Sequence, residues 1–125
     1  MPAYDTGSFD PPAPVGLASF VNLGNDRQVE NVVMLLDTGA DVSFVPESVR
    51  QAVQAEKQET AYEIEYLEGG APSLLASVYL QMKWQGLKFT GSYRVTTASY
   101  GVIGRNILNR VALALDGPSQ HWEIR

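Results

Sequence analysis

Five consecutive apolar residues, Val32 to Leu36, run directly into Asp37-Thr38-Gly39-Ala40-Asp41. An apolar run without alternation is the pattern of a strand covered on both faces. A carboxylate at the end of such a strand is drawn toward a poorly solvated place, where ionisation is costly unless a partner or a shared proton compensates it. The chain must therefore wrap this strand with others and still leave the Asp37 carboxylate a defined task.

The tripeptide Asp-Thr-Gly occurs twice, at residues 5–7 and 37–39. On average residue usage it arises by chance in roughly one chain of this length in a few dozen, so the letters alone carry little. The first copy stands among Tyr4, Ser8, Phe9 and Asp10 in a stretch of 14 residues with four prolines and no strand before it. It reads as an Asp-Gly turn in a flexible proline-rich arm covering 1–14. The second copy follows the apolar run, and one domain is expected over 15–125.

Of the 125 residues 45% are apolar, enough for one packed domain, and the net charge is −5. Lysines and arginines are scattered, which argues against nucleic acid and against an anionic membrane surface as partners. Cysteine is absent, excluding disulfides, thiolate metal sites and cysteine nucleophiles. The first residues lack the basic and apolar regions of a signal peptide, and the longest apolar runs have five residues. A soluble, cytoplasmic protein is the expectation. The one histidine, His121, has no second ligand near it in sequence, and no metal or cofactor is expected.

Strand patterns recur along the chain. A strand is expected from Val15, a turn at Gly24-Asn25-Asp26, and a second strand ending at Asp37. A short strand, Val42–Val45, precedes a helix with Pro46 in its first turn and Val49, Ala52 and Val53 on one face. Residues 61–82 read as two strands joined by Glu68-Gly69-Gly70-Ala71-Pro72. Tyr62, Ile64 and Tyr66 alternate with glutamates in a half-exposed first strand, and Gly69-Gly70 permit a turn at the tip. Gln85-Gly86 marks a further turn before a strand from Leu87. A helix of two turns at most follows Gly104, and Asp116-Gly117-Pro118-Ser119 joins a terminal hairpin. Trp84 and Trp122 read as core or interface anchors.

In order along the chain, LLDTGAD, a hairpin with two glycines about thirty residues later, and VIGRN together resemble the retropepsin-like aspartic peptidases, above all the non-viral members. The resemblance spans roughly residues 15–125. It implies a mostly β, closed antiparallel acid-protease fold with one or two short helices and one half-site per chain. A homodimer would then place one Asp37 from each copy at its two-fold axis, because 125 residues leave no room for an internal second half.

The resemblance also assigns roles. Asp37 is the catalytic carboxylate, Thr38 hydrogen-bonds across the dimer axis, and Gly39 lets substrate backbone approach. Asp41 contacts substrate main chain and pairs with Arg105, which with Asn106 supports the loop. Leu35, Ala40, Tyr100 and Val102 match substrate-pocket positions, and Gly69 and Gly70 match the tip of a flap over an extended peptide. Two departures stand out. The flap carries Ala71-Pro72 after its glycines, and the C-terminal hairpin is longer than a single terminal strand. That hairpin is expected to bury Leu113, Leu115, Trp122 and Ile124 at the dimer interface.

Simpler readings remain for each position. Asp37 could cap a turn, Asp41 and Arg105 could form an ordinary surface pair, and Gly69-Gly70 could be only a hairpin turn. Tyr100 and Val102 could be core. As a whole the chain could be a catalytically silent dimeric peptide-binding module of the same fold, or a latent enzyme with residues 1–14 as a pro-segment.

Overall fold

In a computed structural model, which describes residues 2–61 and 74–125, the described residues form ten strands and two short helices. The first five strands are β1 (Tyr4–Asp5), β2 (Ala13–Asn22), β3 (Arg27–Leu36), β4 (Phe44–Pro46) and β5 (Gln58–Ala61). The others are β6 (Leu74–Trp84), β7 (Leu87–Thr96), β8 (Gly101–Ile103), β9 (Leu113–Asp116) and β10 (His121–Ile124). Helix α1 spans Glu47–Val53 and α2 spans Arg105–Leu108.

Six strands close into a barrel in the order β2-β3-β8-β4-β7-β6, with β6 returning to β2 through Ser19↔Lys83, Phe20↔Met82 and Val21↔Gln81. A register shift in β2 between Ala18 and Phe20 bends that strand where it must serve two neighbours. Most pairings are antiparallel, as tight turns favour. Gln85 and Gly86 both take positive φ, joining β6 to β7 with matched twist. Two pairings are parallel, β3 with β8 and β4 with β7. They join strands far apart in sequence, so no local signal announces them.

Alternation sorts the side chains. Val78, Leu80, Met82 and Trp84 of β6 point inward, with Phe20 of β2, Met34 of β3, Phe89 and Tyr93 of β7 and Ile103 of β8. The expected burial of both faces of the second strand is only partly found. Val32, Met34 and Leu36 are buried, while Val33 and Leu35 are half-buried on the opposite face.

Pro46 is the N-cap of α1 in extended conformation, not part of its first turn. The helix ends after seven residues at Gln54, whose φ is 51°. It buries Val49 and Val53 and leaves Ala52 exposed. Glu56 is exposed, while Tyr62, Ile64, Tyr66, Gly69, Gly70, Ala71 and Pro72 lie outside the described residues.

The proline-rich stretch folds back on the domain. Tyr4 pairs with Pro14 and Asp5 with Ala13, so β2 begins two residues before the expected Val15. The N-terminus also joins the terminal hairpin. Ala3 bridges His121, the Tyr4 N–H donates to the Gln120 carbonyl (2.8 Å), and the Trp122 N–H donates to the Pro2 carbonyl (3.0 Å). Within that hairpin Trp122 takes the core position, one of its two readings, not the dimer-interface one. Its ring is only 1% exposed, lies 5.7 Å from Trp84 between centroids, and donates Nε1–H to the Val15 carbonyl (2.9 Å). It is a core anchor of its own chain. Gly16 makes room for both rings, since a Cβ there would sit 2.6 Å from Trp84 Nε1. Leu113 and Ile124 pack partly against the core, and Leu115 stays 46% exposed.

Candidate active site

The end of β3 carries Asp37 out of the sheet at a fixed angle. Its N–H donates to the Ile103 carbonyl (3.0 Å), extending the parallel ladder with β8 by one bond. One carboxylate oxygen, Oδ1, accepts the Gly39 N–H at 2.8 Å, and the Asp37 carbonyl accepts the Ala40 N–H at 3.2 Å. The backbone thus curls around the carboxylate, and a Cβ at residue 39 would come within 3.1 Å of the same oxygen. Asp37 is half-buried in a single chain, with Thr38 and Gly39 exposed beside it.

The loop 37–41 is pinned from behind by α2. The Arg105 N–H donates to the Ala40 carbonyl (2.8 Å) and the Asn106 N–H to the Asp41 carbonyl (3.3 Å). The Arg105 guanidinium donates Nη1–H to the Thr38 carbonyl (2.7 Å) and Nη2–H to the Asp41 carboxylate. The pair is open to solvent, with Asp41 83% and Arg105 43% exposed in their side chains. Gly104 makes the close approach possible. A Cβ there would lie 2.3 Å from the Val42 carbonyl oxygen and 2.9 Å from that of Ala40.

Ser43 is a residue that the motif reading missed. Buried to 1% exposure, its hydroxyl donates to Asn106 Oδ1 (2.8 Å) and accepts the Gly104 N–H (3.0 Å). A lone serine just ahead of a short apolar strand carries no spacing that could have singled it out.

Leu35 and Val102 stand opposite each other where β3 meets β8, both half-buried, with Ala40 half-buried in the adjoining loop. Tyr100 lies two residues before Val102, and its ring meets Phe9 edge-on. The structure therefore brings together Leu35, Asp37, Thr38, Gly39, Ala40, Asp41, Val102, Arg105 and Asn106 around the β3–β8 junction, with Tyr100 at the margin. Gly69 and Gly70 lie outside the described residues. The first Asp-Thr-Gly copy makes a similar turn, Asp5 Oδ1 accepting the N–H groups of Gly7 and Ser8, each at 2.9 Å. That turn stands on an exposed loop with no apolar strand beneath it. The backbone donation from Ser8 holds the Asp5 carboxyl below the usual carboxylate range.

A cavity of about 450 Å³ opens between β1 and the outer side of β2, lined by residues that include Tyr4, Leu17, Val33 and Trp122, and does not include Asp37. Among the described residues no three His, Asp or Glu side chains converge as metal ligands would. No described helix is long and apolar enough to cross a membrane.

No protein-family model and no curated protein sequence matches the chain. Among solved structures the chain is similar to EIAV protease in complex with the inhibitor HBY-793. The TM-score is 0.55 with 21% identity over 78% of this chain and 86% of that one. The fold is that of a retroviral protease: a closed, mostly β barrel with short helices.

Proposed function

We propose that the protein is a homodimeric aspartic endopeptidase, each chain contributing Asp37 to one active site. The observation that carries this reading is the setting of Asp37. The carboxylate stands at the end of a core strand, on a backbone curl closed by Gly39 and braced by Arg105.

Two such carboxylates brought together across a two-fold axis cannot both ionise, so they share one proton, the arrangement of aspartic proteases generally. The ionised Asp37 removes a proton from a water as its oxygen attacks the peptide carbonyl carbon, while the protonated one gives its proton to the carbonyl oxygen. Collapse of the tetrahedral intermediate breaks the C–N bond, and the proton taken from water passes to the leaving nitrogen. No covalent intermediate and no metal or cofactor is needed.

In this reading Thr38 joins the two loops across the axis, Gly39 leaves room for substrate backbone, and Asp41 contacts its main chain. Leu35, Ala40, Tyr100 and Val102 line side-chain pockets, and Gly69 and Gly70 form the tip of a flap. Arg105 and Asn106 support the loop. The substrate is a peptide in extended conformation, paired strand to strand in the cleft. Nucleic acid and membrane are not partners.

The test is cleavage of a diverse peptide mixture by wild type and Asp37→Asn, read by mass spectrometry from mildly acidic to neutral pH. Wild-type products that vanish in the variant carry the reading. Identical product spectra from two folded, dimeric proteins would leave a peptide-binding module without turnover. Because a monomer holds half a site, specific activity should also fall on dilution through the dimer dissociation constant.

A further inference from the structure

We infer that Phe9, at the tip of the N-terminal hairpin, is a specificity-determining residue that completes the side-chain pocket begun by Tyr100, Val102 and Leu35; this rests on the peptidase reading above. The contact is direct. The Phe9 and Tyr100 rings meet edge to face, centroids 5.0 Å apart and planes at 68°, and both are half-buried. Nothing in the apolar pattern of residues 1–14 requires Phe9 to reach the barrel mouth. It arrives there because the hairpin is held at both feet. Asp5 pairs with Ala13, and the Asp5 carboxylate gathers the N–H groups of Gly7 and Ser8 (each 2.9 Å), fixing the path of the loop toward Phe9. Pro11 and Pro12 restrict the descending limb. The N-terminus is tied further by Ala3 and Tyr4 to the terminal hairpin.

An aromatic side chain on so well anchored a loop is a wall. Tyr100 precedes Val102 by two residues, and Val102 faces Leu35 across the β3–β8 ladder. Through its contact with Tyr100, Phe9 extends this apolar row and limits the size of side chain the row accommodates.

The experiment uses the full chain with Phe9→Ala, Phe9→Leu and Phe9→Trp, each checked for folding by thermal melting. kcat/KM is measured on peptides that differ only in the apolar residue beside the scissile bond, from alanine to tryptophan. Phe9→Ala should shift the ratio of large to small side chains upward by roughly tenfold, the scale on which apolar pockets discriminate. Phe9→Trp should shift it the other way, with Phe9→Leu between. Superimposable selectivity profiles in active variants, or a rate change shared equally by every peptide as expected of an inhibitory cap, would overturn the assignment and leave the peptidase reading intact. A folded, dimeric wild type that cleaves none of the peptides would overturn both.

Discussion

Ser43 and Asn106 meet through a partly buried hydrogen bond, hydroxyl to side-chain carbonyl at 2.8 Å, that joins the entry of β4 to α2 behind the candidate catalytic loop. The same hydroxyl accepts the buried Gly104 N–H at 3.0 Å, so one oxygen satisfies a donor that water cannot easily reach and holds Asn106 as well. Ser43→Ala should cost about 2 kcal/mol, chiefly because the buried Gly104 N–H is left without its partner. Urea unfolding should show a lower midpoint with an unchanged slope.

Arg105 binds the Thr38 carbonyl and the Asp41 carboxylate with two arms of one guanidinium. A lysine offers one compact charge and cannot span both. Since the pair is solvent-exposed, Arg105→Lys should lower stability by under about 1 kcal/mol. In a cleavage assay the loss should be larger, roughly ten- to a hundredfold in kcat/KM, because the loop that aims Asp37 loses its brace. Near-equal melting temperatures with unequal rates would identify a positioning role. A rate unchanged in Arg105→Lys would remove it.

Two glycines predict opposite outcomes. At Gly104 an added methyl would meet only backbone, the Val42 carbonyl oxygen at 2.3 Å and carbon at 2.7 Å, which cannot rotate aside. Gly104→Ala should destabilise by about 3 kcal/mol. At Gly91 in β7 a Cβ meets nothing within 4 Å, so Gly91→Ala should be neutral or stabilising by about 0.5 kcal/mol through the unfolded chain. Thermal melts of the two variants check both.

Burial pushes the Tyr93 phenol far above its ordinary range, with a backbone hydrogen bond from Met82 opposing in part. The folded phenol therefore keeps its proton at pH values where the unfolded one has lost it. The unfolded state then binds fewer protons, and stability falls as pH rises above about 10, while below that it is unaffected by this group. Tyr93→Phe loses the bond from the hydroxyl to the Phe89 carbonyl (2.6 Å) and about 1 kcal/mol at neutral pH. Its stability should fall less steeply than that of wild type between pH 10 and 11.5 in urea titrations.

Strands, turns and the apolar run into Asp37 were legible because they depend on neighbours in sequence: a strand pattern from Val15, a turn signal at Gln85-Gly86, a hairpin signal for residues 116–119. The loop motif was legible for the same reason, its carboxylate and its glycine being two residues apart. What the motif could not contain was its support. Ser43 has no local mark, and its value comes from two groups on another segment.

The sequence by itself determined that this chain is a cysteine-free, mostly β domain with one aspartate at the end of a buried strand. Tertiary structure alone decided which strands lie parallel and that Trp122 faces inward onto Trp84 rather than outward. It also decided that a proline-rich N-terminus folds back to set Phe9 against Tyr100. The reason is physical. Periodicity and turn chemistry act over a few residues, whereas barrel closure fills one shared volume, and the side chains that fill it come from segments whose separation in sequence carries no signal.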